Sequence, residues 1–489
     1  MQYISTRNKD ICISASEAII QGISRDGGLF VPKTLPKIDN IEELADMDYK
    51  ELAYEIMSKF ITDFEPHILK DCIDKAYDDK FTKGIVPVAD VGGAYFLELF
   101  HGPTLAFKDM ALSILPYLLK TAMDMKGVDK EIVILTATSG DTGKAALEGF
   151  AGVEGIKIIV FYPEDGVSEI QKMQMLTQEG DNTFVVGIDG NFDDAQSGVK
   201  QLFNDPDFVK AMNGNNYILS SANSINIGRL IPQIVYYFHG YLTLLRQGKL
   251  KKNDKINIAV PTGNFGNILA AYYGKEMGLP VNKLICASNE NNILSDFINT
   301  GIYDARRELI LTSSPSMDIL ISSNLERLLF HLSGEDANLI KKNMLGLSEE
   351  GFYKMDPINT DGFYGFYSNE KEVSQGIEEV FRENNYLIDP HTAVAYNIYE
   401  RYRLETKDET KTLISATASP FKFGTKVAKS IGMDIKGKNQ FKILEDLAVE
   451  TNTEFPEAIR TLKEKPIIHK NNCNKESMKE MVEVLLNMK

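Results

Sequence analysis

The sequence predicts an α/β fold built on parallel sheets, and three observations predict it. Short apolar runs at 132–135, 156–162, 183–188, 217–220, 256–260, 284–287 and 413–416 have strand length and lack the alternation of a half-exposed sheet. Helical patterns lie between most of them, as at 144–150, 168–179, 193–203 and 268–277. The turns that leave several of these strands are rich in Gly, Ser, Thr and Asn. Strands buried on both faces and alternating with helices require right-handed crossovers, and therefore parallel pairing.

The elements are taken in chain order. Residues 1–95 read as an N-terminal cap. They contain a helical pattern at 15–23 and an Asp26-Gly27-Gly28 turn into a short strand stopped by Pro32. Two surface helices are expected within 40–80. A smaller α/β domain is assigned to 96–210 and a larger one to 211–430, the latter interrupted by an insertion at about 290–385 with no clear strand alternation. Residues 431–489, rich in Lys and Glu at helical spacing, read as terminal helices packed outside.

Composition narrows the function. A length of 489 residues exceeds one ordinary domain, and 43% hydrophobic with 25% charged residues is the balance of a soluble globular protein. A net charge of −16 argues against nucleic acid or an anionic membrane as partner. No apolar run approaches the roughly 18 residues of a membrane span. No apolar signal core follows Arg7, Lys9 and Asp10. Cys12, Cys72, Cys286 and Cys473 are scattered and form neither a disulfide framework nor a zinc site, and the histidines have no ligand spacing. The cytoplasm is the expected address.

Ligands of open α/β sheets sit at the carboxyl ends of strands, so the loops there carry the argument. Lys108 lies in Phe100-His101-Gly102-Pro103-Thr104-Leu105-Ala106-Phe107-Lys108-Asp109, just before an apolar helix start. Desolvation at such a junction would lower its pKa and free the amine as a nucleophile; the alternative is a surface Lys-Asp pair at a helix end. Thr138-Ser139-Gly140-Asp141-Thr142-Gly143 precedes a helix whose free N–H groups attract anions. It is either a polar cap or a site, and it departs from a P-loop at Thr138 and Ala145. Gly263-Asn264-Phe265-Gly266-Asn267 follows a strand and opens a helix, which suits a phosphate or a plain tight turn, and it lacks the third glycine of a dinucleotide fingerprint. Ser415-Ala416-Thr417-Ala418-Ser419-Pro420 is by itself a helix cap. Asn223, Ser224 and Arg229 open a long apolar helix, where Arg229 offers a planar fork to an anion. Lys172 follows Ser168-Glu169-Ile170-Gln171 and reads equally as an exposed helix lysine.

Together these motifs resemble those of the threonine synthases, pyridoxal phosphate (PLP) enzymes of fold type II, which is the tryptophan synthase β-like fold. The resemblance is to the longer microbial-type branch and runs from Met1 to about Lys426, broken by the insertion. It implies that Lys108 holds PLP as a Schiff base and moves protons during turnover. It further implies that Gly263, Asn264, Phe265, Gly266 and Asn267 bind the coenzyme phosphate, that Asp141 and Thr142 contact the ring side, and that Thr417 faces the pyridine nitrogen. Thr138, Ser139, Lys172, Asn223, Ser224 and Arg229 are implied to bind substrate. His391, in Asp389-Pro390-His391-Thr392-Ala393, is expected to be structural or peripheral.

The implied reaction converts O-phospho-L-homoserine and water to L-threonine and phosphate in a monomer or homodimer, without metal. Activation by S-adenosylmethionine is not expected, because the long N-terminal extension of the plant-type enzymes is missing. A related PLP phospholyase giving 2-oxobutyrate and ammonia is the alternative within the class. A non-catalytic relative would be expected to have lost Lys108 or a phosphate loop, and a dehydrogenase is weakened by the incomplete fingerprint.

Overall fold

A computed structural model describes residues 1–138, 140–164, 167–355 and 360–488. Two parallel-rich sheets organise it. The larger has six strands in the order Phe363–Tyr367, Val281–Ser288, Ile256–Pro261, Thr412–Ala416, Ala94–Glu98, Val88–Val91. All neighbours in it are parallel except the edge hairpin 88–98. The smaller has five, in the order Asn471–Cys473, Thr183–Ile188, Ile156–Pro163, Glu131–Ala137, Tyr217–Ser220, all parallel. Their interiors are the near-continuous Val/Ile/Leu runs expected of strands covered on both faces: Ile132, Val133, Ile134, Leu135, Ile158 and Ile159 are all at most 2% exposed. No described helix is long and apolar enough to cross a membrane.

Four features differ from the sequence expectation, each for a physical reason. The hairpin 88–98 belongs to the large sheet, not to a cap: Ala94–Glu98 lies parallel beside Thr412–Ala416, with Tyr95 opposite Leu413. Strand Tyr217–Ser220 completes the small sheet beside Glu131–Ala137, so the crossover between domains comes after it. The stretch 290–385 is only partly an insertion. Strand Phe363–Tyr367 and helix Glu370–Asn384 continue the doubly wound pattern, and an antiparallel pair, Ile302–Asp304 with Phe352–Lys354, closes the excursion at its base. Finally, the C-terminal segment returns to the small sheet as its edge strand Asn471–Cys473, while Met478, Val482 and Leu486 enter that domain's core.

The helices Tyr49–Phe60 and Pro66–Ala76 are amphipathic and not merely superficial. Leu52, Ala53, Ile56, Met57 and Phe60 are fully buried and join the same core as the long helix Ile227–Arg246. The first is stopped at its N-terminus by an Asp48/Glu51 capping box, which satisfies two backbone donors reciprocally. A helix carrying Lys and Glu at its exposed positions reads as superficial in a charge pattern even when its other face is buried.

Candidate active site

Lys108 stands at the carboxyl end of strand Ala94–Glu98, as the residue before helix Asp109–Leu112. The loop that presents it is built by its own polar groups. Asp109 accepts from the Thr104 backbone N–H at 2.9 Å and from its hydroxyl at 2.5 Å. Gly102 permits this, because a Cβ there would lie 2.6 Å from the Asp109 carboxylate. The far side of the loop is stitched to the turn after strand Thr412–Ala416. Phe107 N–H donates to the Thr417 carbonyl at 2.8 Å, and Ser419 N–H donates to the Leu105 carbonyl at 3.0 Å. Thr417 is thereby fixed against Phe107, the residue before Lys108, with its side chain buried. Leu105 adopts φ 60°, a left-handed conformation that strains a branched side chain.

The charges around the lysine are arranged in depth. Lys422, fully buried, pairs with Asp141 at 2.7 Å and donates to the Thr104 carbonyl at 2.8 Å. Gln171 also donates to Asp141, at 2.9 Å. Burial opposes ionisation of Asp141, but Lys422 and then Lys108 outweigh it and hold the carboxyl well below the usual range. Burial pushes the Lys108 amine down to about 8, with Asp141 resisting and Arg229 and Lys422 assisting. Burial also raises Asp109 to about 6 against the two hydrogen bonds from Thr104. An amine at about 8 is neutral in an appreciable fraction near neutrality, as a nucleophile or proton acceptor needs.

Arg229 is buried and donates through Nη1 to the Ala222 carbonyl at 2.8 Å, while its Nε has no partner. Among the described residues no carboxylate pairs with it, and burial lowers its pKa to about 10. A buried guanidinium left this way can take an external anion as its partner. Ser224 Oγ lies 3.5 Å from Asn324 Nδ2, and Asn324 also donates to the Asn264 carbonyl at 3.0 Å, so the Arg229 segment and the glycine loop are bridged. Asn223 is exposed beside them.

The glycine loop leaves strand Ile256–Pro261 and enters helix Gly266–Met277 through Phe265, buried at φ 63°. The left-handed residue turns the chain so that the free N–H groups of the helix start face out of the strand end. Asn267 Oδ1 accepts from the hydroxyls of Tyr236 and Tyr237, the latter at 2.6 Å, and its Nδ2 is buried without a partner. At Gly263 a Cβ would come 2.7 Å from the Ser316 carbonyl oxygen, which is backbone and cannot swing away. Gly263→Ala is therefore expected to displace the loop and weaken coenzyme affinity by at least about tenfold, read by fluorescence titration; unchanged affinity would show that the loop does not hold the coenzyme.

Other predicted residues take different places. Thr138 Oγ1 accepts from Gly140 N at 3.0 Å and Gly143 N at 2.9 Å, so this hydroxyl is used inside the loop. Ser139 lies outside the described residues. Thr142 is partly buried in the first turn of helix Asp141–Phe150. Lys172 pairs with Glu164 beside the Tyr162 ring, which neutralises it there. Asp141, expected beside the coenzyme ring, spends its carboxylate on Lys422 and Gln171. His391 is buried, its Nδ1 2.6 Å from Asp389 and its Nε2 accepting from Ser316 N–H at 3.3 Å. That pairing makes it a support for the 314–317 turn.

Lys422, Gln171, Ser316 and Asn324 were not anticipated. Ser316 Oγ lies 3.4 Å from Lys108 Nζ and comes from the excursion. A signal for it existed in Ser313-Ser314-Pro315-Ser316, a hydroxyl cluster fixed by proline, and one for Lys422 in a lone cation between Phe421 and Phe423.

Against this geometry the comparisons are direct. Residues 2–77 match the family described as threonine synthase N terminus, and 89–418 match pyridoxal-phosphate dependent enzyme. Threonine synthase of Pseudomonas aeruginosa is 38% identical, over 88% of this chain and 90% of that one. The chain belongs to the threonine synthase family. Threonine synthase from yeast superposes with a TM-score of 0.89 at 32% identity, covering 99% of both chains. A PLP-bound threonine synthase from Brucella melitensis gives 0.88 at 33% identity, covering 100% of this chain and 99% of that one. Human threonine synthase-like 1 is 40% identical over 85% of this chain, and the chain spans 58% of that relative's length. The family's coenzyme suits the residues present: a half-buried lysine with a depressed pKa, a glycine cradle that a methyl group would fill, and an orphaned Asn267 amide.

Proposed function

We propose that this protein is a threonine synthase, converting O-phospho-L-homoserine and water into L-threonine and phosphate with PLP held through Lys108. One observation carries the reading: two separate sets of unfilled anion donors flank one lysine. The first is the loop 263–267 with the Asn267 amide, suited to the coenzyme phosphate, and the second is Arg229 with Asn223 and Ser224, suited to the substrate phosphate. An enzyme with only one phosphorylated ligand has no use for the second set.

When bound, PLP supplies an electron sink conjugated to the substrate carbon that loses its proton. The protein's share is positioning and proton movement. Lys108 Nζ, once free, takes a proton from the substrate and returns one, and Ser316 Oγ keeps the amine within reach. Arg229 orients the phosphate and stabilises it as it leaves. Thr417, buried and locked by its carbonyl, would offer its hydroxyl to the ring nitrogen, and His391 with Asp389 holds the Ser316 turn in place.

Incubation with PLP and O-phosphohomoserine, with threonine and phosphate assayed together, tests the reading. Equimolar threonine and phosphate are expected; 2-oxobutyrate and ammonia in place of threonine would establish the phospholyase instead. Arg229→Ala is expected to weaken substrate binding by roughly 1.5–3 kcal/mol, the worth of a charge-assisted contact, while PLP stays bound. Loss of PLP with substrate affinity intact would interchange the two anion sites. The same reading places the enzyme in the cytoplasm as a monomer or homodimer, states that light scattering separates.

A further inference from the structure

A cavity of about 900 Å³ opens behind the lysine loop. Its walls include Gly102, Pro103 and Leu105 on the reverse of that loop, and helices Asp141–Phe150 and Glu169–Leu176 on the other side. The C-terminal stretch around 452–465 closes the third side. Lys108, Arg229 and the loop 263–267 are not among its walls, so it is distinct from the site described above.

Its chemistry is mixed and incompletely satisfied. Gln174, 1% exposed and in the wall, has neither its Nε2 nor its Oε1 hydrogen-bonded. A buried amide without partners is costly, and a native protein keeps one where something else satisfies it. Several charged groups of the wall pair among themselves: Lys144 with Glu148 at 3.2 Å, Lys83 with Glu454 at 3.1 Å and His101 with Glu98 at 2.6 Å. Lys80, Lys465 and Glu179, exposed at its rim, form no ion pair among the described residues. Phe100, Pro103, Leu387 and Phe421 give the cavity an apolar floor.

We propose that this cavity binds a small zwitterion of the α-amino-acid class. The unpaired lysines face its carboxylate, Glu179 its ammonium, the two-sided Gln174 amide hydrogen-bonds to it, and the apolar floor accepts its side chain. Rim charges of both signs, over a buried amide that donates and accepts, suit neither a simple anion nor an apolar molecule.

Occupancy bears on the catalytic loop through a short path. Gln171 lies one helical turn before Gln174 and donates to Asp141, which pairs with Lys422, which donates to Thr104 beside the strained Leu105. A ligand that repositions Gln174 therefore acts on the loop that holds Lys108.

The inference goes beyond the proposed reaction and is tested by binding alone. Each of the twenty amino acids is titrated calorimetrically into the holoenzyme and into Gln174→Ala, Gln174→Glu and Arg229→Ala. At least one is expected to bind the parent and Arg229→Ala alike, with affinity reduced about tenfold or more in both Gln174 variants and with ligand-free kcat unchanged in them. Gln174→Glu keeps the size of the side chain should Gln174→Ala fold poorly. The proposal is overturned if no amino acid binds, or if binding is lost in Arg229→Ala and kept in the Gln174 variants, which marks the substrate pocket. Because heat is read without turnover, failure of the proposed reaction leaves this result standing.

Discussion

Replacing Lys108 with alanine is expected to lower turnover by at least about 10³-fold, within the range for losing a positioned acid–base group, while much of the PLP affinity survives. On the proposed reading the loop 263–267 and Thr417 hold the coenzyme apart from the lysine side chain, so the coenzyme should keep an anchor when the amine is removed. Borohydride treatment of the parent should place pyridoxyl label on the peptide containing Lys108. Label on Lys144 or Lys172 would overturn the assignment, and both amines are already engaged, by Glu148 and Glu164 respectively. The lowered pKa adds a pH test. Coenzyme capture needs the neutral amine, so the rate at which apo-protein takes up PLP should climb with pH through about 8 and level above it. A rate still climbing steeply at pH 10 would mean that burial does not act on this amine.

Lys422→Met carries the second large effect, on stability. The pair Lys422–Asp141 is 0% and 4% exposed, and removing one member of such a pair costs about 3–5 kcal/mol, because the other charge is left buried and uncompensated. The sign with pH follows from Asp141. Its folded pKa in the parent is below the unfolded value, so the parent's stabilisation is present above about pH 4 and is lost only as pH falls toward the folded value. In the variant, burial without Lys422 favours the protonated carboxyl, so the deficit should be smaller at pH 5 than at pH 8. Urea midpoints at the two pH values measure this. Adding Asp141→Asn should restore part of the loss, since a neutral amide removes the stranded charge. Equal midpoints for Lys422→Met and the parent would show that the pair does not hold the loop.

The sheets were legible in the sequence because strands covered on both faces leave uninterrupted apolar runs. Strand Thr183–Ile188 has the bounds expected, and Ile256–Pro261 differs by one residue. Ala94–Glu98 was missed although it is equally apolar. It opens directly after a Gly92-Gly93 turn in a hairpin, which reads as a local ribbon and not as an interior strand. The sites were legible where chemistry is contiguous, as in Gly263–Asn267 and Phe100–Asp109. They were illegible where it is assembled across the fold. Lys422 is recognisable only once Asp141 stands 2.7 Å away, and Ser316 only once the excursion folds back over Gly263. Lys172 shows the converse: a cation suggested by motif position is occupied by Glu164, eight residues earlier in the chain.

The return of the chain end to the small sheet has a consequence for synthesis. Strand Thr183–Ile188 emerges from the ribosome nearly three hundred residues before its neighbour Asn471–Cys473 exists. Until then one edge of that sheet carries unpaired N–H and C=O groups, and the core around Val186 and Ile188 lacks Met478 and Val482, which are made last. An open apolar edge is a template for pairing with other chains. The nascent protein thus carries an open apolar edge through much of translation, and a chain cut before Asn471 would leave that edge open for good.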